Sequence, residues 1–305
     1  EERKKQHNVL AEKLTDSLRN VTKEPSSTNG NGLAVVSNGG YNFVQEIMPQ
    51  RQIKDLILDE GIKKTCEELV EEHRRLDLLR SYNLEPRNRL LFIGPPGNGK
   101  TSLAEGVAEA LVVPLYIVRY ESIVGAYLGE TAIRLKKLFE YVSTQHCVLF
   151  FDEFETLGKE RGDHHETGEI KRVVSSLLTQ IDTLPSHVVV IGATNHPELL
   201  DRAVWRRFQI RMVLKQPTRG QLTEWFEKFE QRNGISLGYA PSTLAKKLNG
   251  TNFAEAEEFG TSILRRYILQ QPGADMKSII SHALKQWEAK SATLSSTTTH
   301  ENDHE

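Results

Sequence analysis

Residues 90–101 read LLFIGPPGNGKT, and the fold turns on this stretch. Four apolar residues, Leu90 to Ile93, run into Gly94-Pro95-Pro96-Gly97-Asn98-Gly99-Lys100-Thr101, and a helical pattern, SLAEGVAEALV, follows at once. A buried strand, a glycine-rich turn and a helix N-terminus in that order make a cradle for phosphate. Glycines let the backbone wrap closely enough for its N–H groups to face phosphate oxygens, and the helix N-terminus adds positive partial charge. Lys100 is placed to reach the β and γ phosphates of a nucleotide, and the Thr101 hydroxyl to ligate Mg2+. The expected phosphate-binding set is Gly94, Pro95, Pro96, Gly97, Asn98, Gly99, Lys100, Thr101 and Ser102, with ATP as the ligand.

Outward from the loop, the same rhythm repeats. VPLYIV, CVLFF, HVVVIGA and FQIRMVL are short apolar runs, and AIRLKKLFEYV and EIKRVVSSLLTQI between them carry helical periodicity. Buried strands alternating with amphipathic helices predict an α/β domain: a parallel sheet with helices on both faces and right-handed crossovers. The run Val148-Leu149-Phe150-Phe151 ends in Asp152-Glu153. Parallel sheets place ligands at the carboxyl ends of their strands, and successive side chains on a strand point to opposite sides. The two acids can therefore take separate tasks, Asp152 holding Mg2+ and Glu153 activating the attacking water. An acidic pair at a strand end is ordinarily just a charged cap; the phosphate loop upstream gives this one its meaning.

From Pro217 the strand signals stop, and QLTEWFEKFEQR, PSTLAKKLN, AEAEEFGTSILRRYILQ and MKSIISHALKQWEAK all read as helices. The expected organisation is an amphipathic helix over 1–20, a flexible Ser/Asn/Gly linker over 21–45, a large α/β domain over 46–216, a small helical lid over 217–291 and a disordered polar tail over 292–305. Net charge is −2, from 39 Lys and Arg against 41 Asp and Glu, which argues against a generally nucleic-acid-coating surface. Cys66 and Cys147 form no ligand cluster and suit a reducing compartment. No apolar run approaches the roughly 18 residues needed to span a bilayer. The opening EERKKQ has no apolar signal region behind it, so the chain reads as cytoplasmic. It contains neither a His-Glu-x-x-His helix nor a Gly-x-Ser-x-Gly elbow, so any proteolysis would come from a separate protein.

These motifs in this order resemble the AAA+ ATPases. GPPGNGKT is similar to their phosphate loop, with Asn98 where Thr is usual, and FFDEFETLG to their acidic strand. VVVIGATNHPELLDRAVWRRFQIRM resembles the second region of homology that marks the AAA clade proper, in the short form of katanin and spastin relatives. The resemblance covers roughly 50–290 and implies further roles. Asn195 matches the polar sensor of water and γ-phosphate. Arg206 and Arg207 match arginine fingers that enter a neighbouring subunit's site, which implies a ring of copies of this chain, a hexamer by family habit. Tyr127 and Leu128, within GAYLGET, match an aromatic pore loop that grips an extended polypeptide, and 160–169 matches a second pore loop. The lid start GTNFAEAEE departs from the family pattern, and neither Arg265 nor Arg266 is assigned as a second sensor. The implied activity is ATP hydrolysis by a motor that remodels, unfolds or threads a protein substrate or adaptor. The alternatives are an ATP-dependent scaffold or switch, working with a separate protease, and a nucleic-acid motor, for which no basic channel or DNA-reading module is visible.

Overall fold

The computed structural model describes residues 43–123, 128–157 and 167–300. The helix expected over 1–20, most of the 21–45 linker, Tyr127, the greater part of the second pore loop and 301–305 lie outside the described residues.

Six strands form one sheet: β1 (Val44–Ile47), β2 (Arg89–Ile93), β3 (Leu115–Val118), β4 (Cys147–Phe151), β5 (Val188–Thr194) and β6 (Ile210–Val213). Their order is β1-β3-β4-β5-β2-β6. Pairings among β2 to β6 are parallel, as the alternating pattern requires. The exception is β1, which lies antiparallel on β3 with Val44 opposite Val118. It corrects the linker reading at residues 44 and 45 and adds one antiparallel edge strand to the expected parallel sheet. A four-residue VQEI edge strand of mixed polarity buries too little on either side to stand out in sequence. The central strands β4 and β5 are buried along their whole length, whereas edge strand β6 alternates buried and exposed.

Helices α1 (Glu60–Arg74), α2 (Leu76–Ser81) and α3 (Lys100–Leu111) flank the early strands. Next come α4 (Tyr120–Ile123), α5 (Leu128–Val142), α6 (Thr167–Thr183) and α7 (Arg202–Arg207). Two apolar cores result, one on each sheet face. One contains Phe139, Phe151, Phe154 and Phe208; the other is built from α1, α3 and residues such as Phe92 and Phe150. Strands with apolar side chains on both faces need this double cover.

The C-terminal region is helical: α8 (Arg219–Asn233), α9 (Pro241–Lys247), α10 (Phe253–Leu269) and α11 (Met276–His300). Its own core gathers Leu222, Phe226, Phe259, Ile263 and Ile280. Thr218 and Asn252 cap α8 and α10 through reciprocal capping boxes with Gln221 and Glu255. Arg266 bonds His282 and Gln286 and so ties α10 to α11. Helix α11 continues to His300, where a disordered tail was expected from 292. No Gly or Pro interrupts 276–300, so a helix begun by a buried face propagates through the polar residues. Among the described residues no helix is long and apolar enough to cross a membrane.

Cys66 and Cys147 are buried free thiols, and burial pushes both up to about 12. With almost no thiolate formed near pH 8, native protein is expected to resist a disulfide exchange reagent that labels both sites after unfolding. Rapid labelling of native protein would show that these packed sites open readily.

Candidate active site

The strand order decides where the chemistry meets. Strand β5 lies between β2, which leads into the phosphate loop, and β4, which ends in the two acids. Asn195, directly after β5, therefore stands between the loop and the acids. Its side-chain Oδ1 accepts a hydrogen bond from Lys100 Nζ at 2.6 Å. The same ammonium donates to the carbonyls of Gly94 at 2.6 Å and Pro95 at 3.0 Å. Burial pulls the Lys100 pKa below the usual lysine range, while Asp152, Glu155 and Glu153 push against that shift.

The loop's shape depends on glycine. Gly94 has φ +151°, and a Cβ there would lie 2.1 Å from the Leu214 carbonyl oxygen. Gly97 has φ +77°, and a Cβ there would meet the Asn252 carboxamide at 2.6 Å. Asn252 is the cap of α10, and the Ala254 N–H of that helix donates to the Gly97 carbonyl at 3.0 Å. The lid thus rests directly on the phosphate loop. Asn98 is only 4% exposed.

Beside the loop, the Thr101 hydroxyl donates to Asp152 Oδ2 at 3.2 Å. The other oxygen, Oδ1, accepts the Glu153 N–H at 3.0 Å. Two hard oxygen donors so close suit Mg2+. Glu153 has φ +46°, a left-handed backbone that costs a side-chain-bearing residue on the order of 1–2 kcal/mol. This turn leaves its carboxylate exposed beside the cavity. Glu155, two residues on, is buried, and its Oε1 accepts the Asn195 N–H at 3.2 Å.

A cavity of about 1270 Å³ brings together Pro96 to Ser102, Asp152, Glu153 and Asn195. Its remaining walls were not visible as site residues in the sequence. They come from the segment Gln50–Leu58 and from the lid residues Trp225, Lys228, Phe229, Arg232 and Phe253. The one signal was the aromatic and basic alternation in WFEKFEQR, which reads equally well as an ordinary amphipathic helix. Arg51 donates to the Ser102 hydroxyl, so that predicted ligand already has a partner. Arg232 stacks over Phe229 and pairs with Glu257 at 2.8 Å. Neither Arg265 nor Arg266 lines the cavity.

The predicted arginine fingers separate. Neither lines this cavity. Arg207 is half-buried, paired with Asp182 at 2.8 Å and bonded to the Ala203 carbonyl, and Asp182 also holds Arg89. Arg206 is exposed, with no hydrogen bond or ion pair among the described residues. Leu128 opens α5.

A sheet with a glycine-rich phosphate loop, an acidic strand end, a polar residue between them and a helical lid over the cavity defines a P-loop nucleotide hydrolase. Comparison with known proteins narrows the class. Residues 90–216 match the family described as ATPase family associated with various cellular activities (AAA). The chain is 36% identical over 274 residues to an uncharacterized AAA family ATPase of Sinorhizobium fredii, covering 89% of this chain and 82% of that one. It is 31% identical over 269 residues to a putative 26S proteasome regulatory subunit homolog of Methanothermobacter marburgensis, covering 87% and 71%. An AAA ATPase forming ring-shaped complexes, from Corynebacterium diphtheriae, is 29% identical over 255 residues, covering 73% and 49%. The chain belongs to the AAA family of ATPases; it binds nucleotide and hydrolyses ATP.

Two glycine substitutions separate steric need from helix propensity. Gly94→Ala is expected to cost at least about 2 kcal/mol in urea unfolding and to abolish nucleotide binding, because backbone blocks the new methyl. Gly61→Ala, in the first turn of α1 with nothing within 4 Å of its Cβ position, is expected to be neutral or stabilising by up to about 1 kcal/mol. Equal effects would overturn the loop geometry given above.

Proposed function

We propose that this ATPase is a ring-forming motor that remodels or threads protein substrates, with each active site completed by a neighbouring copy. The observation that carries the reading is Arg206: exposed, without a partner among the described residues, and absent from the cavity described above. A transition state that gathers negative charge on phosphate gains from an added guanidinium, and here that group has to arrive from outside. Arg207 serves as its anchor, since its Asp182 and Ala203 bonds fix the end of α7.

Within one subunit, Thr101 and Asp152 would hold Mg2+. Among the described residues no cluster of three or more His, Cys, Asp or Glu could hold a metal alone, so phosphate oxygens would complete the shell. When bound, the ion neutralises phosphate charge and orients the γ-phosphate. Lys100 exchanges its carbonyl and Asn195 partners for phosphate oxygens. Asn195, released from Lys100, orients the attacking water, and Glu153 accepts its proton. The lid contact at Gly97 carries changes in the loop to α10 and so to the ring interface.

The protein-directed part of the proposal draws on Tyr127 and Leu128, whose motif matches a pore loop, and on relatives named for ring-shaped complexes and proteasome regulation. A scaffold or switch that only holds nucleotide would have no need of Glu153 on its strained turn. A separate protease is a natural partner for a threading ring, and the chain's overall charge balance gives no support to a nucleic-acid track.

Glu153→Gln is expected to bind ATP while turning over at least about a hundredfold more slowly. Wild-type turnover per subunit is expected to rise with protein concentration as a larger species forms, tracked by mass; concentration-independent turnover by a monomer would end the ring reading. Arg206→Ala is expected to abolish turnover with unchanged melting temperature, whereas Arg207→Ala lowers the melting temperature as well. Mixing Arg206→Ala subunits with Lys100→Ala subunits restores activity if the arginine acts across the interface. Tyr127→Ala is expected to keep basal ATPase but lose processing of an unfolded protein substrate, and normal processing would exclude threading by this loop.

A further inference from the structure

Behind the catalytic surface lie two buried polar atoms with no hydrogen-bond partner among the described residues: the Tyr120 hydroxyl oxygen and Glu155 Oε2. One is a donor and the other an acceptor. Tyr120 opens α4, two residues after β3, and Glu155 lies in the turn Phe154–Leu157 that follows β4. Strand β3 pairs with β4 so that Ile117 stands beside Phe150. The Tyr120 ring packs against the core that includes Phe151 and Phe154, the residues flanking the acid pair. Burial and the negative charges of Asp152, Glu155 and Glu153 raise the Tyr120 phenol well above its usual range, so it keeps its proton and acts as a donor throughout the working pH range.

Glu155 is 2% exposed. Its other oxygen accepts the Asn195 N–H at 3.2 Å, and the Asn195 side chain accepts from Lys100 at 2.6 Å. A line of contacts therefore runs from Glu155 through Asn195 to the ammonium of the phosphate loop, and leaves Glu155 Oε2 unpaired among the described residues. A desolvated donor or acceptor left unpaired is costly, and a bond to a carboxylate is among the stronger hydrogen bonds. A rearrangement that brought the two atoms into contact would remove both penalties at once. Nucleotide binding supplies the occasion, because Lys100 then gives up Asn195 for phosphate.

We propose that Tyr120 is a positioning residue for ATP hydrolysis: its hydroxyl donates to Glu155 Oε2 when nucleotide is bound, and Glu155 in turn fixes the Asn195 main chain beside the γ-phosphate. The proposal rests on the reading of Asn195 as the residue that orients water and γ-phosphate. It also ties β3, the strand leading into the predicted pore loop, to the sensor through one hydroxyl.

The test is a set of steady-state ATPase measurements on the full chain. The variants are Tyr120→Phe, Glu155→Ala, their combination and Asn195→Ala, with melting temperatures in parallel. Tyr120→Phe keeps the ring and its packing. It is expected to lower kcat about tenfold, the size that goes with one hydrogen bond to a charged group, with KM for ATP and melting temperature little changed. In the Glu155→Ala background the same change is expected to have no further effect. Wild-type kcat in Tyr120→Phe, or losses that multiply in the double variant, would overturn the proposal while a low kcat in Asn195→Ala leaves the sensor reading standing. Wild-type kcat in Asn195→Ala would overturn both.

Discussion

A buried ammonium is the constraint around which the active-site end of the molecule is arranged. Lys100 has been taken out of water, and a charge in that position must be fully hydrogen-bonded or lose its proton. Its partners come from two elements: the carbonyls of Gly94 and Pro95 after β2, and the Asn195 side chain after β5. Only a sheet that seats β5 beside β2 can deliver both. The acids on β4, the neighbour of β5 on its other side, then oppose the desolvation of Lys100. All three partners are neutral oxygens, so phosphate oxygens that carry full charge can displace them without leaving a buried charge unpaired.

Much of this was legible in the sequence, for physical reasons. Strands buried on both faces leave continuous apolar runs, and phosphate loops leave glycines at fixed offsets, so LLFIGPPGNGKT and VLFFDE stood out by composition alone. What escaped were features set by partners distant in the chain. Arg206 and Arg207 are indistinguishable as adjacent letters; they differ because Asp182, on α6, takes one of them. Glu155 carries no mark in the sequence; its burial follows from the short helical turn Phe154–Leu157, which sets it against the Asn195 N–H. Strand β1 was hidden by its brevity. The end of α11 was misread because Ser and Thr in number resemble a tail, while nothing within the stretch stops a helix already running.

The lid shows how little contact is needed to link two cores. Its hydrophobic centre around Phe226 and Phe259 is separate from the two sheet cores. Yet one backbone hydrogen bond, from Ala254 to Gly97, and the Asn252 carboxamide packed where a Gly97 side chain would stand join it to the phosphate loop. At its root the loop abuts Leu214, the residue after β6, whose carbonyl oxygen stands where a Gly94 Cβ would go.

The antiparallel strand β1 has a consequence for solubility. An open parallel sheet ends in a row of unsatisfied N–H and C=O groups, a template for pairing with other chains. At the β3 edge that row is covered by Val44–Ile47 running in the opposite sense, and at the far edge β6 turns alternate residues, Arg211 among them, toward water. A fragment starting after Ile47 would retain every residue assigned here to nucleotide chemistry while exposing the flank of a buried apolar sheet. Four residues of mixed polarity thus cover the flank of a buried apolar sheet.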